Sequence, residues 1–216
     1  MEDYNLLEVQ NCYNLTAKQY SDTYCNELDG KPFDRDLLKR FVTNIDQSKP
    51  TYEFAAGSCH IADYVYRNGL HNIIATDITK ESLNYASLKY PHLKFEYMNM
   101  LETGLEDNSI NGIICSYGIV HFTYNEINKA IIEWKRILNR KGRALFCFHI
   151  GNGESYRTEK FFENEKAKAT WNFFEVEKII DIMKENDIEY EEVIIRYPYI
   201  GNEHPSKRCY IQFMKK

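Results

Sequence analysis

Apolar residues in this chain recur at two alternating spacings, one typical of strands and the other of helices. Residues 51–77 contain a short strand pattern, a tight turn of small residues, a helical pattern and a second strand that ends on Asp77. Residues 93–98, 110–116 and 143–150 give three more strand candidates, and 189–197 and 208–214 give the last two. The runs at 110–116 and 143–150 are almost continuously apolar, which is typical of strands covered on both faces.

Helical spacing fills the intervals between these strands. Residues 80–88 follow Thr79, a candidate N-cap, and residues 123–138 begin with Thr123 and Glu126 in the spacing of a capping box. Apolar residues at helical spacing also follow Pro32 and occupy 176–183. Strands that alternate with helices predict an α/β fold, in which an open, mostly parallel sheet carries helices on both faces.

Composition narrows the classes of function. The chain has 216 residues and a net charge of -5, so no basic surface is available for a phosphate backbone, and bulk nucleic acid is not expected as a partner. Its six cysteines include no Cys-x-x-Cys pair, which predicts free thiols in a reducing compartment. The first residues lack the pattern of a signal peptide, and no apolar run is long enough to cross a bilayer. We therefore expect a cytoplasmic protein that is not embedded in a membrane.

The turn in residues 51–77 carries the first chemical information. A nucleotide-binding βαβ unit usually has three glycines here, but Ala55 and Cys59 stand on either side of Gly57. Their side chains would crowd a diphosphate and matter less for an adenosyl ligand without phosphate. Glu53 precedes the turn, and Asp77 lies 20 positions after Gly57, near the usual spacing of a carboxylate that binds ribose hydroxyls. Two acids would favour a cationic ligand such as S-adenosylmethionine.

From residue 13 onward the chain resembles a small, bacterial-type class I S-adenosylmethionine-dependent methyltransferase. The resemblance rests on EFAAGSCHIA, ATDIT and FEYMNMLE, and above all on DNSINGIICSYGIVHF with EWKRILNRKGRALF. It implies a Rossmann-like three-layer sandwich with seven strands, the last antiparallel and inserted beside the fifth. It also implies S-adenosylmethionine as cofactor and S-adenosylhomocysteine as product.

The resemblance assigns a set of cofactor residues. Asp77 would bind the ribose, Ile78 and Met100 would sandwich the adenine, and Asn99 stands where the family more often has an Asp. The amide of Asn99 can both accept from the adenine amino group and donate to a ring nitrogen. The expected cofactor residues are Tyr20, Glu53, Ala55, Gly57, Asp77, Ile78, Asn99, Met100 and Ser116.

Acceptor chemistry is expected beside the cofactor. His121 follows the fourth strand and His149 ends the fifth, so both imidazoles should face the same mouth of the sheet. His121 could be a base, a hydrogen-bond partner or an ordinary loop histidine, and Tyr13 is its companion as a catalytic candidate. No spacing typical of a metal site accompanies them, so no metal is expected. The expected substrate residues are Tyr117, His149, Tyr199 and His204.

The predicted organisation is one methyltransferase domain over 1–216. Residues 1–50 would form a helical arm over the cofactor site, 51–150 the cofactor-binding core, 151–171 an insertion or lid, and 172–216 the last helix and strand pair. The expected activity is in-line methyl transfer to a small molecule. Alternatives are methylation of a protein or RNA site, a catalytically silent cofactor-binding module, and a nicotinamide-dependent oxidoreductase, which the turn and Glu53 disfavour.

Overall fold

A computed structural model describes residues 5–216 of the chain as a three-layer α/β sandwich. The helices of the described part are α1 Leu6–Tyr24, α2 Pro32–Asn44, α3 His60–Arg67, α4 Lys80–Lys89, α5 Tyr124–Ile137 and α6 Val176–Glu185. The strands are β1 Thr51–Glu53, β2 Ile73–Asp77, β3 Lys94–Tyr97, β4 Ile110–Ser116, β5 Leu138–His149, β6 Ser155–Arg157, β7 Thr170–Asn172, β8 Tyr190–Arg196 and β9 Arg208–Met214.

Seven of these strands form one sheet in the order β3-β2-β1-β4-β5-β9-β8. In this sheet β9 runs opposite to the other six strands, and it lies between β5 and β8. The predicted seven-stranded, Rossmann-like sheet is therefore confirmed. The strand order reverses between β1 and β4, and open α/β sheets bind ligands at the carboxyl ends of the strands that flank such a point.

Two apolar clusters explain why the sheet is covered on both faces. On one face, α5 and α6 bury residues such as Trp134 and Ile179 against Phe54 and Phe146. On the opposite face, α2, α3 and α4 bury residues such as Phe41 and Val65 against strand residues including Ala75. Strands β4 and β5 contribute to both clusters, which is the physical reason for their nearly continuous apolar sequence.

The ends of several elements differ from the sequence prediction. Strand β5 begins at Leu138 rather than at residue 143, because Leu138 pairs with Ile110 of β4. Thr79 and Thr123 are the N-cap residues of α4 and α5, but neither side chain bonds to a backbone N–H of its helix. The Thr123 hydroxyl instead donates to the carboxylate of Glu126, so the predicted capping box is wrong in its hydrogen bonding although both residues are in contact.

Residues 151–172 form a structured extension rather than a solvated loop. Strands β6 and β7 pair antiparallel, and Ala167 and Ala169 pack on Cys12 of α1. An ion pair between Arg157 and Glu8 ties the two segments together at the surface. Helix α1 and this extension therefore pack on one another, and both lie over the carboxyl ends of the sheet strands.

Candidate functional site

A cavity of about 520 Å³ lies at the carboxyl ends of β1, β2, β4 and β5. Its floor comes from the turns that follow those strands, and its roof from α1 and the extension at 151–172. The site residues expected from the sequence line it with one exception, Tyr199. Those present are Tyr13, Tyr20, Glu53, Ala55, Gly57, Asp77, Ile78, Asn99, Met100, Ser116, Tyr117, His121, His149 and His204.

The turn after β1 keeps a glycine-like backbone with only one glycine. Ala55, Gly57 and Cys59 have φ angles of 51°, 52° and 56°, all in the left-handed region. This conformation costs a residue with a Cβ about 1–2 kcal/mol. The backbone N–H of Gly57 donates to Asp77 Oδ2 at 2.9 Å, and that of Ala56 donates to the carbonyl of Thr76 at 2.9 Å. These bonds to β2 hold the turn in place despite the strain at Ala55 and Cys59.

Two buried carboxyl groups, Glu53 and Asp77, flank the turn. Glu53 accepts from the backbone N–H of Ala62 at 2.9 Å, and burial, aided by the nearby Asp77, raises the pKa of Glu53 to about 8. Burial also raises the pKa of Asp77, although bonds from the N–H groups of Gly57 and Thr79 oppose that rise. A cationic ligand beside them would favour their ionised forms. S-adenosylmethionine, with its sulfonium and ammonium groups, is such a ligand.

The residues expected at the adenosine end lie next to Asp77. Asp77 Oδ2 accepts from the backbone N–H of Gly57 and Oδ1 from that of Thr79, and the carboxylate, which lines the cavity, also bonds to the Thr79 hydroxyl and the Ile78 N–H. Asn99 uses its amide oxygen to accept from the backbone N–H of Leu101 at 3.0 Å, which leaves the second lone pair of that oxygen and the NH2 group for a ligand. Ile78 and Met100 line the same region.

Tyr20 of α1 closes the cavity over the glycine turn. A Cβ added at Gly57 would lie 3.0 Å from Tyr20 Cε1. The Tyr20 ring also packs against Tyr13 and Tyr24, with centroid distances of 5.3 and 4.6 Å. The arm therefore rests on the one position of the turn that has no side chain.

We expect Gly57→Ala to weaken binding of S-adenosylmethionine by about tenfold. The added methyl group must displace the Tyr20 ring, in addition to the cost of a left-handed alanine. Gly104→Ala is the matched control, because Gly104 has a φ of 70° and nothing lies within 4 Å of its added Cβ. Titration calorimetry on both variants separates the two effects. Equal affinities would contradict a role for the contact between Tyr20 and the turn.

Tyr13 and His121 lie in direct contact beneath the roof. The hydroxyl of Tyr13 is 2.9 Å from His121 Nε2, and His121 Nδ1 is 2.7 Å from the carbonyl oxygen of Thr170. A carbonyl can only accept, so Nδ1 carries the imidazole proton and Nε2 accepts from Tyr13. Burial lowers the pKa of His121 to about 4, which keeps the ring neutral near pH 7. With both nitrogens engaged, His121 cannot contact an acceptor directly, and the hypothesis of a direct base role is revised accordingly.

A second group of polar aromatic residues lies at the end of β5. His149 stacks on Tyr117 at a centroid distance of 4.7 Å, and its Nδ1 lies 2.8 Å from Ser206 Oγ. Burial and the neighbouring Arg208 lower the pKa of His149 to about 3. His204 Nδ1 accepts from the backbone N–H of Ser206 at 3.3 Å, which places its ring proton on Nε2. This end of the cavity therefore presents neutral imidazoles rather than charged ones.

Tyr199, expected among the substrate residues, lies outside the cavity. Its hydroxyl accepts from the backbone N–H of Phe33 at 3.1 Å, and its ring lies 4.5 Å from the Arg196 guanidinium. The turn after β8 directs this side chain toward the start of α2. The structure therefore corrects the expected substrate role of Tyr199 to one of fixing that turn.

Several residues that line the cavity were not singled out from the sequence. Lys31 donates to Glu27 at 2.9 Å, and His60 Nε2 lies 3.1 Å from the other oxygen of Glu27. Burial opposes ionisation of Glu27, but His60 and Lys31 prevail and lower its pKa to about 2. The spacing of Glu27 and Lys31, four residues apart, was the one available signal. Phe161 and Trp171 also line the cavity, and no sequence pattern placed them there.

Residues 5–216 contain no group of three or more His, Cys, Asp or Glu side chains arranged to hold a metal ion. Across the same residues, no helix combines the length and apolar character needed to cross a bilayer.

Comparison with protein families identifies the central part of the chain. Residues 52–146 match the sequence model of a family described as "Methyltransferase domain". This segment runs from β1 into β5, and it therefore includes the turn at Gly57, Asp77 and His121. A comparison with curated proteins gave no match.

Solved structures with the same fold are numerous and distant in sequence. A Burkholderia thailandensis 1,6-didemethyltoxoflavin-N1-methyltransferase, solved with bound 1,6-didemethyltoxoflavin and S-adenosylhomocysteine, has a TM-score of 0.71 and 12% identity, covering 97% of this chain and 88% of its own. An S-adenosylmethionine-dependent methyltransferase from Clostridium acetobutylicum has a TM-score of 0.68 and 14% identity, covering 95% and 99%. A Streptomyces coelicolor geranyl diphosphate C-methyltransferase, solved with Mg2+, geranyl diphosphate and S-adenosylhomocysteine, has a TM-score of 0.64 and 10% identity, covering 85% and 77%.

At these identities the structural similarity establishes the fold, and the family match adds the activity. The two buried acids beside the turn fit a cationic adenosyl cofactor, as described above. The chain thus carries a methyltransferase domain at residues 52–146 within a Rossmann-like fold, and S-adenosylmethionine is the methyl donor that fits it.

Proposed function

We propose that the enzyme methylates a small molecule held beneath α1 and the extension at 151–172. The observation that carries this proposal is the aromatic roof of the cavity. Tyr13, Phe161 and Trp171 pack on one another, with centroid distances of 5.8 Å and 5.2 Å from Phe161 to the other two rings. A cavity of about 520 Å³ under such a roof has the size of a small-molecule site. The Burkholderia relative, by its name, also methylates a small molecule.

Bound S-adenosylmethionine supplies a methyl group on a positively charged sulfur. We assign its binding to Tyr20, Glu53, Ala55, Gly57, Asp77, Ile78, Asn99, Met100 and Ser116, as expected from the sequence. Asp77 would accept from the ribose, Asn99 would donate to the adenine through its NH2 group, and Glu53 would offset positive charge beside the turn. These residues bind and orient, and the rate gain comes from alignment of the two reactants and exclusion of water.

We assign the acceptor to the region of Tyr117, His149 and His204. The stacked pair of Tyr117 and His149 offers a flat wall, which suits a planar molecule with polar edges. The cations nearby are already paired, since Lys31 binds Glu27 and Arg208 lies 3.4 Å from Glu203. A diphosphate would find no uncompensated positive charge here. A neutral, planar acceptor is therefore favoured over the kind of substrate named for the Streptomyces relative.

We also propose that residues 1–216 act as a single domain, with the arm at 1–50 and the extension at 151–171 forming the cover of the site. Contacts between Cys12 and the alanines at 167 and 169 join these two parts of the cover. The six cysteines are all free thiols, and five of them are buried. Free thiols support the cytoplasmic location expected from the sequence.

Calorimetry with S-adenosylmethionine, S-adenosylhomocysteine and NAD, followed by a screen of small acceptors, tests this function. We expect both adenosyl ligands to bind, NAD not to bind, and S-adenosylhomocysteine to form with at least one small molecule. Binding without any turnover would favour a silent module, and turnover only with protein or RNA would favour a macromolecular acceptor. Failure of both adenosyl ligands to bind at millimolar concentration would contradict methyl transfer altogether.

A further inference from the structure

The contact between Tyr13 and His121 joins three separate parts of the chain. Tyr13 comes from α1, His121 from the turn after β4, and the Thr170 carbonyl from β7 of the extension. Strand β7 is fixed to the same turn, because the side chain of Asn172 donates to the carbonyl of Phe122 at 2.9 Å. The series of hydrogen bonds that runs from Tyr13 through His121 to Thr170 therefore forms only when α1 and the extension are both in place.

The direction of both hydrogen bonds in this series is fixed. Thr170 accepts, so His121 donates from Nδ1, and Nε2 is left to accept the hydroxyl hydrogen of Tyr13. The Tyr13 oxygen retains lone pairs, and the residue lines the cavity. An O–H or N–H group of the methyl acceptor can thus donate a hydrogen bond to the Tyr13 oxygen, and His121 Nε2 is the base to which Tyr13 is already hydrogen-bonded.

We propose that the Tyr13 oxygen receives the proton of the methyl acceptor while its own proton passes to His121 Nε2, and that the natural acceptor therefore carries an O–H or N–H at the methylated atom. This inference rests on the proposed small-molecule function and specifies its substrate class. His121 acts through Tyr13 and is a positioning residue and proton sink, whereas Tyr13 touches the acceptor.

The atoms and charges of this step balance. The acceptor atom forms its bond to the methyl carbon, the carbon–sulfur bond breaks, and its electron pair stays on sulfur. The acceptor's X–H electron pair stays on the acceptor atom, and its proton goes to Tyr13. One positive charge disappears at sulfur as one appears on the imidazole, so the net charge of the cavity does not change. The Thr170 carbonyl stabilises the imidazolium through Nδ1–H. Product release returns the proton through Tyr13 to water.

Burial keeps the pair neutral before reaction. It raises the pKa of Tyr13 well above its usual value and lowers that of His121 to about 4, so neither a phenolate nor an imidazolium accumulates near pH 7. A hydroxyl that both accepts and donates can pass a proton without carrying charge itself. The pair is therefore suited to take up a proton only as the sulfonium charge is lost.

The ring nitrogens of His121 give a test that needs no acceptor. Nitrogen-15 NMR of the whole chain should find Nδ1 protonated and Nε2 unprotonated and hydrogen-bonded near pH 7, and Tyr13→Phe should shift the Nε2 resonance. A proton on Nε2 in the unmodified protein would overturn the assignment of the relay. Tyr190→Phe, which changes an exposed tyrosine outside the cavity, is the control and should leave His121 unchanged.

Activity on two sets of acceptors then tests the relay itself. One set consists of phenols and N–H heterocycles, and the other of pyridines, tertiary amines and thioethers, which have a free lone pair and no proton to lose. Tyr13→Phe and His121→Gln should lower turnover of the first set by about a hundredfold. The loss of turnover on the second set should be clearly smaller than the loss on the first. Gln can accept and donate hydrogen bonds but cannot hold the proton, so His121→Gln separates proton transfer from packing.

The outcomes separate this inference from the proposed function. Turnover by the unmodified enzyme of the second set alone would overturn the inference and leave small-molecule methylation intact. Turnover of neither set, with S-adenosylmethionine bound normally, would count against both. Equal losses on both sets in the two variants would mean that Tyr13 and His121 only shape the cavity, and this too would overturn the relay. His71→Gln, at a histidine outside the cavity, is the control for activity.

Discussion

Asp77→Asn should weaken S-adenosylmethionine binding by about 10- to 100-fold, the loss expected for a charged hydrogen bond in a buried site. Asp77 accepts from the N–H groups of Gly57 and Thr79 with different oxygens, at 2.9 and 2.8 Å. An asparagine has a single acceptor oxygen, so one of these N–H groups would face the NH2 group instead. The substitution therefore removes a negative charge and also loosens the turn that must meet the cofactor.

Titration calorimetry with S-adenosylmethionine and with adenosine measures this loss. Adenosine should lose affinity as well, because the proposed contact is to the ribose. Asp107→Asn is the matched control, since Asp107 is an exposed partner of Arg136 and lies outside the cavity. Circular dichroism and thermal unfolding establish that the variant is folded. Affinity equal to that of the unmodified protein would remove Asp77 from the cofactor site.

Glu203→Gln should lower the free energy of unfolding by about 3–5 kcal/mol, the cost of breaking a buried ion pair by removing one partner. The Glu203 side chain is 1% exposed and lies 2.7, 3.4 and 3.5 Å from Arg196, Arg208 and Lys31. Arg208 is itself 1% exposed. A neutral amide would leave these cations without their shared counter-ion. Chemical denaturation measures the change.

Glu192→Gln provides the control, because Glu192 pairs with Arg40 at 3.1 Å on the surface and should contribute at most about 1 kcal/mol. The pH dependence offers a second measurement. Burial alone would raise the pKa of Glu203, but bonds from Arg196 and the Tyr199 N–H, with attraction from Lys31 and Arg208, lower it to about 2. Its contribution is therefore present above about pH 4.3, the ordinary value, and is lost as the pH falls toward 2. If Glu203→Gln lowers the free energy of unfolding no more than Glu192→Gln does, the buried network is not stabilising.

The cluster around Glu203 also explains why the turn after β8 forms a firm wall of the cavity. Glu203 accepts from the backbone N–H of Tyr199 at 2.7 Å, and Arg196 bonds to Asp34 at 2.6 Å, which connects the turn to α2. The Arg208 guanidinium donates to Tyr117 at 3.1 Å. One buried network thus joins the end of the sheet, the arm and the acceptor side of the site.

Much of the fold could be predicted from the sequence because it depends on local periodicity. The apolar runs of β4 and β5 must be covered on both faces, and the stripe that includes Trp134 and Ile131 must bury one side of α5. Asp77 was identifiable because its distance from Gly57 is set by the length of one βαβ unit. The strand order and the place of β9 between two other strands were implied by the family resemblance, since pairing between distant strands leaves no local pattern.

The expected site was less secure wherever it depended on side-chain partners. The sequence placed His121 and Tyr13 near the cavity. Their hydrogen bond, however, joins residues 108 positions apart in the chain and forms only because α1 lies across the sheet. Tyr199 was misplaced because a tyrosine beside a predicted pocket can turn toward either side of its loop. The chemistry at Glu27 and Lys31 was missed for the same reason.

The sequence by itself determined the α/β class and favoured a phosphate-free adenosyl cofactor, because strand periodicity and the spacing from Gly57 to Asp77 are local properties, whereas the seven-stranded order was implied by the family resemblance. Only the tertiary structure decided how a turn with one glycine keeps its shape. Ala55 and Cys59 stay in the left-handed region because bonds from Gly57 to Asp77 and from Ala56 to Thr76 hold the turn against β2. The tertiary structure likewise fixed the proton positions on His121, because the deciding carbonyl belongs to Thr170, 49 residues away.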